Sequence, residues 1–220
     1  MTETARTAFD AMDSMYRYQR YFYDATRKYY LLGRDRLIEQ MAIRPGDTVA
    51  EIGCGTGRNL ILLARKHPKA RFFGLDASGE MLRTAREKSV GTPNILFKTS
   101  LADEFEHGTT FGLSQPLDVI FFSYSISMIP PWKESINRAL DNLKPGGTMY
   151  IVDFYDQKDL PVWFRTLLQM WLRKFHVQFW SELIPFLFEL DRSGKGVLEI
   201  SSVARRYAFI ASIKKNLPVK

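Results

Sequence analysis

The sequence predicts an α/β fold: a seven-stranded, mostly parallel sheet with helices on both faces. A helical cap precedes the sheet, and a helical insertion follows the fifth strand. Three observations carry this prediction. An apolar run from Val49 to Ile52 stops at Gly53-Cys54-Gly55-Thr56-Gly57, and Leu60, Ile61, Leu63 and Ala64 follow at helical spacing. The next strand candidate, Arg71 to Asp76, ends in a carboxylate about twenty residues further on. Apolar runs and helical patterns then alternate as far as Val152, which builds a parallel sheet with right-handed crossovers.

Taken in order, residues 1 to 42 read as helices. Phe9, Met12, Tyr16 and Tyr23 share one face, and Met15, Tyr18 and Phe22 widen it. Six tyrosines fall between Tyr16 and Tyr30, at an amphipathic boundary that suits a cap or a cation site. A second helix runs through Leu31, Leu32, Leu37, Ile38 and Met41, and Pro45-Gly46-Asp47 turns the chain into the first strand. After strand two, Ser78 caps a helix. Asn94 to Lys98 is strand three, followed by Thr99-Ser100-Leu101-Ala102-Asp103.

Leu117 to Phe122 is apolar enough for the middle of a parallel sheet. It runs into Ser123 to Ile129. Pro130-Pro131-Trp132 opens the next helix, Lys144 to Gly147 ends it, and Thr148 to Val152 is strand five. Residues 160 to 190 break the alternation. Phe164, Leu167, Leu168, Trp171, Leu172 and Phe175 follow helical spacing, with Arg165, Gln169, Arg173 and Lys174 mostly opposite. Large aromatics beside basic side chains suit either a sheet-covering helix or a water–membrane boundary. Val197 to Ser201 and Tyr207 to Ile213 close the fold as an antiparallel pair. The expectation is one domain over 1–220, with residues 1–42 as cap and 157–195 as insertion.

Composition narrows the function classes. A formal net charge of +7 suits an anionic partner, either nucleic acid or an anionic membrane surface. The single cysteine, Cys54, precludes a disulfide within the chain and suits a reducing cytoplasm. No leader pattern stands at the front, and no stretch reaches the roughly 18 apolar residues of a spanning helix.

The pattern Glu51-x-Gly53-x-Gly55-x-Gly57, closed by Asp76, resembles the S-adenosylmethionine site of class I methyltransferases, written E/D-x-G-x-G-x-G. A nicotinamide-type loop fits poorly, because Arg58 stands at its last glycine, and no Gly-Lys-Ser/Thr of a P-loop follows. The resemblance implies S-adenosylmethionine as cofactor and no metal. It implies that Glu51, Gly53, Gly55, Gly57 and Asn59 form the cradle of its methionine part and that Asp76 holds the ribose. Ala77 and Met81 would flank the adenine on one side, Ser100 and Leu101 on the other. Ser123 would sit under the sulfonium, and Tyr30 and Arg34 would anchor the carboxylate.

The segments Met15 to Asp35 and Ser123 to Trp132 resemble the diacylglyceryl-homoserine N-methyltransferases of betaine-lipid synthesis. That resemblance implies three methylations of one lipid amine. Tyr16, Tyr23, Tyr29 and Tyr124 would surround the amine, and Arg20, Arg27 and Lys28 would take the headgroup carboxylate. The implied partners are a membrane lipid, an anionic membrane surface and the enzyme that makes the homoserine lipid. The implied location is cytoplasmic, peripheral to the inner face of the membrane. Phosphatidylethanolamine is the nearest rival substrate, ahead of a small molecule or quinone, and a cofactor-binding module without turnover is a further alternative. Nucleic acid is not expected. Strand four ends in Ser123-Tyr124-Ser125-Ile126 rather than in the Asp/Asn-Pro-Pro-Tyr of base amino-methyltransferases.

Overall fold

The computed structural model describes residues 31–174 and 177–217. Seven strands run through them: β1 (Thr48–Ile52), β2 (Arg71–Asp76), β3 (Ile95–Thr99), β4 (Leu117–Ser123), β5 (Leu143–Phe154), β6 (Gly196–Val203) and β7 (Ala208–Lys215). The helices are α1 (Arg34–Gln40), α2 (Arg58–Lys66), α3 (Gly79–Lys88), α4 (His107–Phe111), α5 (Trp132–Asp141), α6 (Val162–Arg173) and α7 (Leu183–Arg192). One sheet has the order β3-β2-β1-β4-β5-β7-β6. β1 to β5 pair in parallel, and β7 joins β5 and β6 antiparallel. The predicted fold class holds.

Successive residues of a strand point to opposite faces, so each central strand feeds two cores. Val49, Phe72 and Phe121 turn to α1, α2, α3 and α6. Ala50, Phe73 and Phe122 turn to α4, α5 and α7. β1 lies between β2 and β4, and the chain leaves it in one direction for β2 and β3 and in the other for β4 and β5. Ligands of open α/β sheets bind at such a switch, beyond the carboxyl ends of the strands.

Gly74 shows how tightly the first core is filled. A Cβ there would lie 2.5 Å from Phe97 Cδ1 and 2.8 Å from Leu60 Cδ1. Gly74→Ala is expected to lower the unfolding free energy by about 1–3 kcal/mol, read by chemical denaturation.

Several expectations shift. Leu31 and Leu32 precede α1 rather than lie in it, because Gly33 takes a left-handed conformation (φ +86°) at its start. Strand five begins at Leu143, not Thr148. Residues 144–147 form an irregular start against Asp118, where Gly146 has φ +77° and the register with β4 shifts. Helix α4 and a 3-10 turn at Ile126–Met128 were not expected. The helical front through residue 30 lies outside the described residues. No helix among the described residues is long and apolar enough to cross a membrane.

Candidate functional site

The site begins where β1 ends. Gly53, Gly55 and Gly57 all have positive φ (+74°, +54° and +74°), a region that favours glycine. This lets the chain fold back between strand and helix, and Gly57 becomes the N-cap of α2. Gly53 N and Cys54 N both donate to Leu75 O, at 2.8 and 2.9 Å, so the loop hangs on β2. Asp76 ends β2 and pins the same loop. Its carboxylate accepts from Gly55 N at 2.7 Å and from Ser78 N at 2.9 Å. Ser78 Oγ in turn accepts from Met81 N at 3.2 Å, the expected helix cap. A carboxylate offers about four lone-pair sites, so these contacts are compatible with ribose hydroxyls.

Two hollows meet at Gly53. The larger is a cleft of about 370 Å³. Leu75, Ala77, Met81, Leu101, Pro130 and Pro131 give it apolar walls, and Asp76 and Ser100 lie among its lining. The smaller is a polar hollow bounded by Leu31, Arg34, Glu51, Gly53, Asn59 and Ser123, with Thr56 and Arg58 at its side. The expected cofactor residues therefore divide into two groups with different chemistry. The cleft suits a flat, largely apolar base. The polar hollow suits an amino-acid zwitterion: Arg34 and Arg58 bring guanidinium groups for a carboxylate. Ser123 Oγ and Asn59 Oδ1 are buried without a hydrogen-bond partner among the described residues, and both accept from an ammonium. Glu51 is buried and takes a 2.6 Å hydrogen bond from Asn59 Nδ2. Adenosine on one side of Gly53 and methionine on the other is the shape of S-adenosylmethionine, so the residues present fit that cofactor.

Tyr124 closes the junction from the β4 side. It is a non-glycine residue at φ +55°, a strained conformation that its contacts hold in place. Its amide donates to Val152 O at 2.8 Å, its hydroxyl donates to Leu32 O, and its ring meets Phe154 edge-on at 4.8 Å. Burial holds its phenol pKa well above the ordinary value, reinforced by Tyr207 and Asp153. It therefore faces the cleft as a wall and a tether, and accepts no proton at neutral pH. Tyr16, Tyr23, Tyr29, Tyr30, Arg20, Arg27 and Lys28 lie outside the described residues.

Sequence reasoning missed three contributors. Asp103 lines the cleft three positions after Ser100, where no acid stands. Pro130 and Pro131, read only as a helix entry, form part of the cleft wall beside Met128 and Ile129. Asp153 holds that wall: its buried carboxylate accepts from Ser127 N at 2.9 Å and from Phe154 N at 2.8 Å, tying the 3-10 turn to β5. An acid at the end of an apolar strand was the available signal. Cys54 is buried in the loop, and burial, with Asp76 and Glu51 nearby, raises its thiol pKa well above the ordinary value, so it is no nucleophile.

Burial raises the Asp153 pKa from 3.8 to about 6, against the pull of its hydrogen bonds. The folded chain thus holds this proton more tightly than the unfolded one. The associated stability is fully present below pH 3.8 and is lost as pH rises through about 6. The unfolding free energy of the wild type, minus that of Asp153→Asn, should therefore grow by roughly 1–3 kcal/mol from pH 7 to pH 4. Denaturation of both proteins across that range checks it. Among the described residues, no group of three or more His, Cys, Asp or Glu is placed to hold a metal ion.

Comparison with known proteins agrees with this geometry. A family model described as "Methyltransferase domain" matches residues 43–209. Trans-aconitate 2-methyltransferase of Deinococcus radiodurans is 31% identical over 108 residues, covering 49% of this chain and 38% of the relative. The enzyme of that name from Rhodopseudomonas palustris is 32% identical over 127 residues, covering 57% and 45%. The matched stretch thus spans less than half the length of these curated relatives. Among solved structures, a putative methyltransferase in complex with the Haloferax volcanii Trm112 methyltransferase activator superposes with a TM-score of 0.74. It is 18% identical and covers 94% of this chain and 99% of its own. An O-methyltransferase family protein from Burkholderia thailandensis superposes with a TM-score of 0.72 at 18% identity, covering 97% and 63%. At these identities the structures show the fold alone. Loop, carboxylate, sheet order and family match together show that the chain belongs to the methyltransferase domain family, as a class I, S-adenosylmethionine-dependent fold.

Proposed function

We propose that the chain methylates the amine of a membrane-lipid headgroup, with diacylglyceryl-homoserine as the first candidate and three rounds ending in a trimethylated ammonium. One observation carries this reading. Adenosine would take the side of the cleft formed by Leu75 to Met81, Ser100 and Leu101; the rest of the described lining, Ala102, Asp103, Tyr124, Ser125 and Met128 to Pro131, contains a carboxylate and no lysine, arginine or histidine. Tyr124 is the aromatic residue of that lining, and its ring is backed edge-on by Phe154. A carboxylate and an aromatic wall without basic side chains favour an amine over a carboxylate as the acceptor. A quaternary ammonium has no N–H to donate, and each aromatic face is worth about 0.5–2 kcal/mol to it.

Bound at the junction of the two hollows, S-adenosylmethionine supplies an electrophilic methyl group. The chain's task is then to position an uncharged amine in line with it and to exclude water. Amines are mostly protonated at neutral pH, so a proton must leave before each transfer. Asp103 is the described carboxylate of the cleft lining that is not bound into the loop, which makes it the candidate acceptor. Arg20, Arg27 and Lys28 remain the proposed partners of the homoserine carboxylate.

The curated relatives favour a second reading, methylation of trans-aconitate. Against it stands the lack of basic side chains in the described cleft lining. Purified protein with labelled S-adenosylmethionine should be offered liposomes of each lipid and, separately, soluble trans-aconitate, with product masses followed in time. Label in mono-, di- and trimethylated lipid is expected. Label in trans-aconitate alone overturns the proposal, and label in phosphatidylethanolamine alone changes the headgroup.

A further inference from the structure

Helix α6 keeps only part of its apolar surface inside. Leu168, Trp171 and Leu172 pack with the cluster that contains Leu31, Tyr124 and Phe154, beside the cleft. Trp163, Leu167 and Met170 are 68%, 58% and 58% exposed. Their spacing of four and three residues puts them in one stripe along the helix. Val162 and Phe164 flank it. Five of the twelve large apolar side chains exposed among the described residues therefore lie on this one helix. Single exposed apolar residues are ordinary, whereas a contiguous row marks an interaction surface.

Charge decides what covers it. From Leu160 to Ser181 the sequence contains no aspartate or glutamate. Arg173 and Lys174 are exposed at the end of the stripe. At the other end, Gln157 N donates to Arg206 O at 2.9 Å, which ties the entry of α6 to the β6–β7 hairpin tip; both Arg205 and Asp159 are exposed there. An apolar stripe with no acid along it and a basic carboxyl-terminal end is complementary to a surface that is apolar within and anionic at its boundary.

We propose that the outer face of α6 docks on an anionic lipid bilayer, with Trp163, Leu167 and Met170 entering the acyl boundary and Arg173 and Lys174 meeting the headgroups. The helix would then lie flat on the bilayer with its inner face against the wall of the site. This rests on the proposed function in one respect: it puts the cleft within reach of a lipid headgroup.

Cys54 is buried, so a Met170→Cys variant of the full chain takes a polarity-sensitive fluorophore at position 170. Thermal unfolding checks that the labelled protein is folded. With phosphatidylcholine vesicles containing phosphatidylglycerol, the emission should shift to the blue. Binding should be at least about tenfold tighter than to phosphatidylcholine alone, given roughly fivefold per basic residue at a charged surface. In the same labelled chain, Arg173→Gln with Lys174→Gln should weaken binding to the anionic vesicles about twentyfold. Adding Leu167→Glu should abolish the shift on both kinds of vesicle. A probe already shielded before vesicles are added would overturn the proposal, because residues 1–30 or a second copy then cover the face. An unchanged emission with anionic vesicles would also overturn it. Docking without lipid methylation leaves this surface standing and removes the proposed function. Methylation of detergent-dispersed lipid without docking does the reverse.

Discussion

Gly53→Ala is expected to weaken S-adenosylmethionine binding by at least about a hundredfold, or about 3 kcal/mol, measured by calorimetry. The residue has φ +74°, where a side chain costs about 1–2 kcal/mol. The new Cβ would also lie 2.5 Å from Ser125 Cβ. Neither side can give easily. Ser125 Oγ donates to Ile52 O at 2.8 Å, and Gly53 N donates to Leu75 O at 2.8 Å. Relief must therefore move the exit of β1 away from that of β4, where the two hollows meet. A drop in folding stability of about 2–4 kcal/mol should accompany the loss, so binding is measured well below the variant's own melting temperature. A folded variant that binds within threefold of wild type would remove the glycine loop from the cofactor site.

Asp76→Ala should have the next largest effect, with a separable signature. The substitution leaves Gly55 N and Ser78 N without their buried acceptor, at about 1–3 kcal/mol for each amide that water cannot reach. It also removes the acceptor assigned to the ribose. The KM for S-adenosylmethionine should rise by about a hundredfold, with kcat reduced much less, because the ribose is held alike before and during transfer. Asp76→Asn keeps one acceptor oxygen and should fall between the two. Equal losses in kcat and kcat/KM would instead assign Asp76 to the chemical step.

Much of this was legible because it is written locally. A glycine at a turn, a serine before a helix and a carboxylate at a strand end act on their immediate neighbours, and Gly55, Ser78 and Asp76 are found doing so. The insertion was less legible. Its periodicity predicted a helix, and α6 is there. Phe164 and Leu167, read in one stripe with Leu168, Trp171 and Leu172, are exposed while Leu172 is buried, and Arg165 and Gln169, read as opposite that stripe, are half-buried. Gln169 Nε2 lies 3.4 Å from Gln157 Oε1, a partner that helical spacing cannot foresee. Eight of the twelve residues of α6 are apolar, so the sequence offers more than one stripe to bury. The sheet and the hairpin choose among them.

The amino-acid sequence alone determined the order of the seven strands and of the helices other than α4, the glycine loop, the carboxylate that grips it and the terminal antiparallel pair. Each depends on backbone preference or on a repeat a few residues long. Only the tertiary structure decided that the lining splits into an apolar cleft and a polar hollow at Gly53. It likewise decided that Asp153 holds the wall from another strand and that α6 leaves its stripe uncovered by the other described residues. Those outcomes depend on which surfaces meet across the sheet, between residues such as Ser127 and Asp153 that are 26 positions apart. Local periodicity says which side chains can be buried; the partner that buries them is chosen by packing over distances no short repeat encodes.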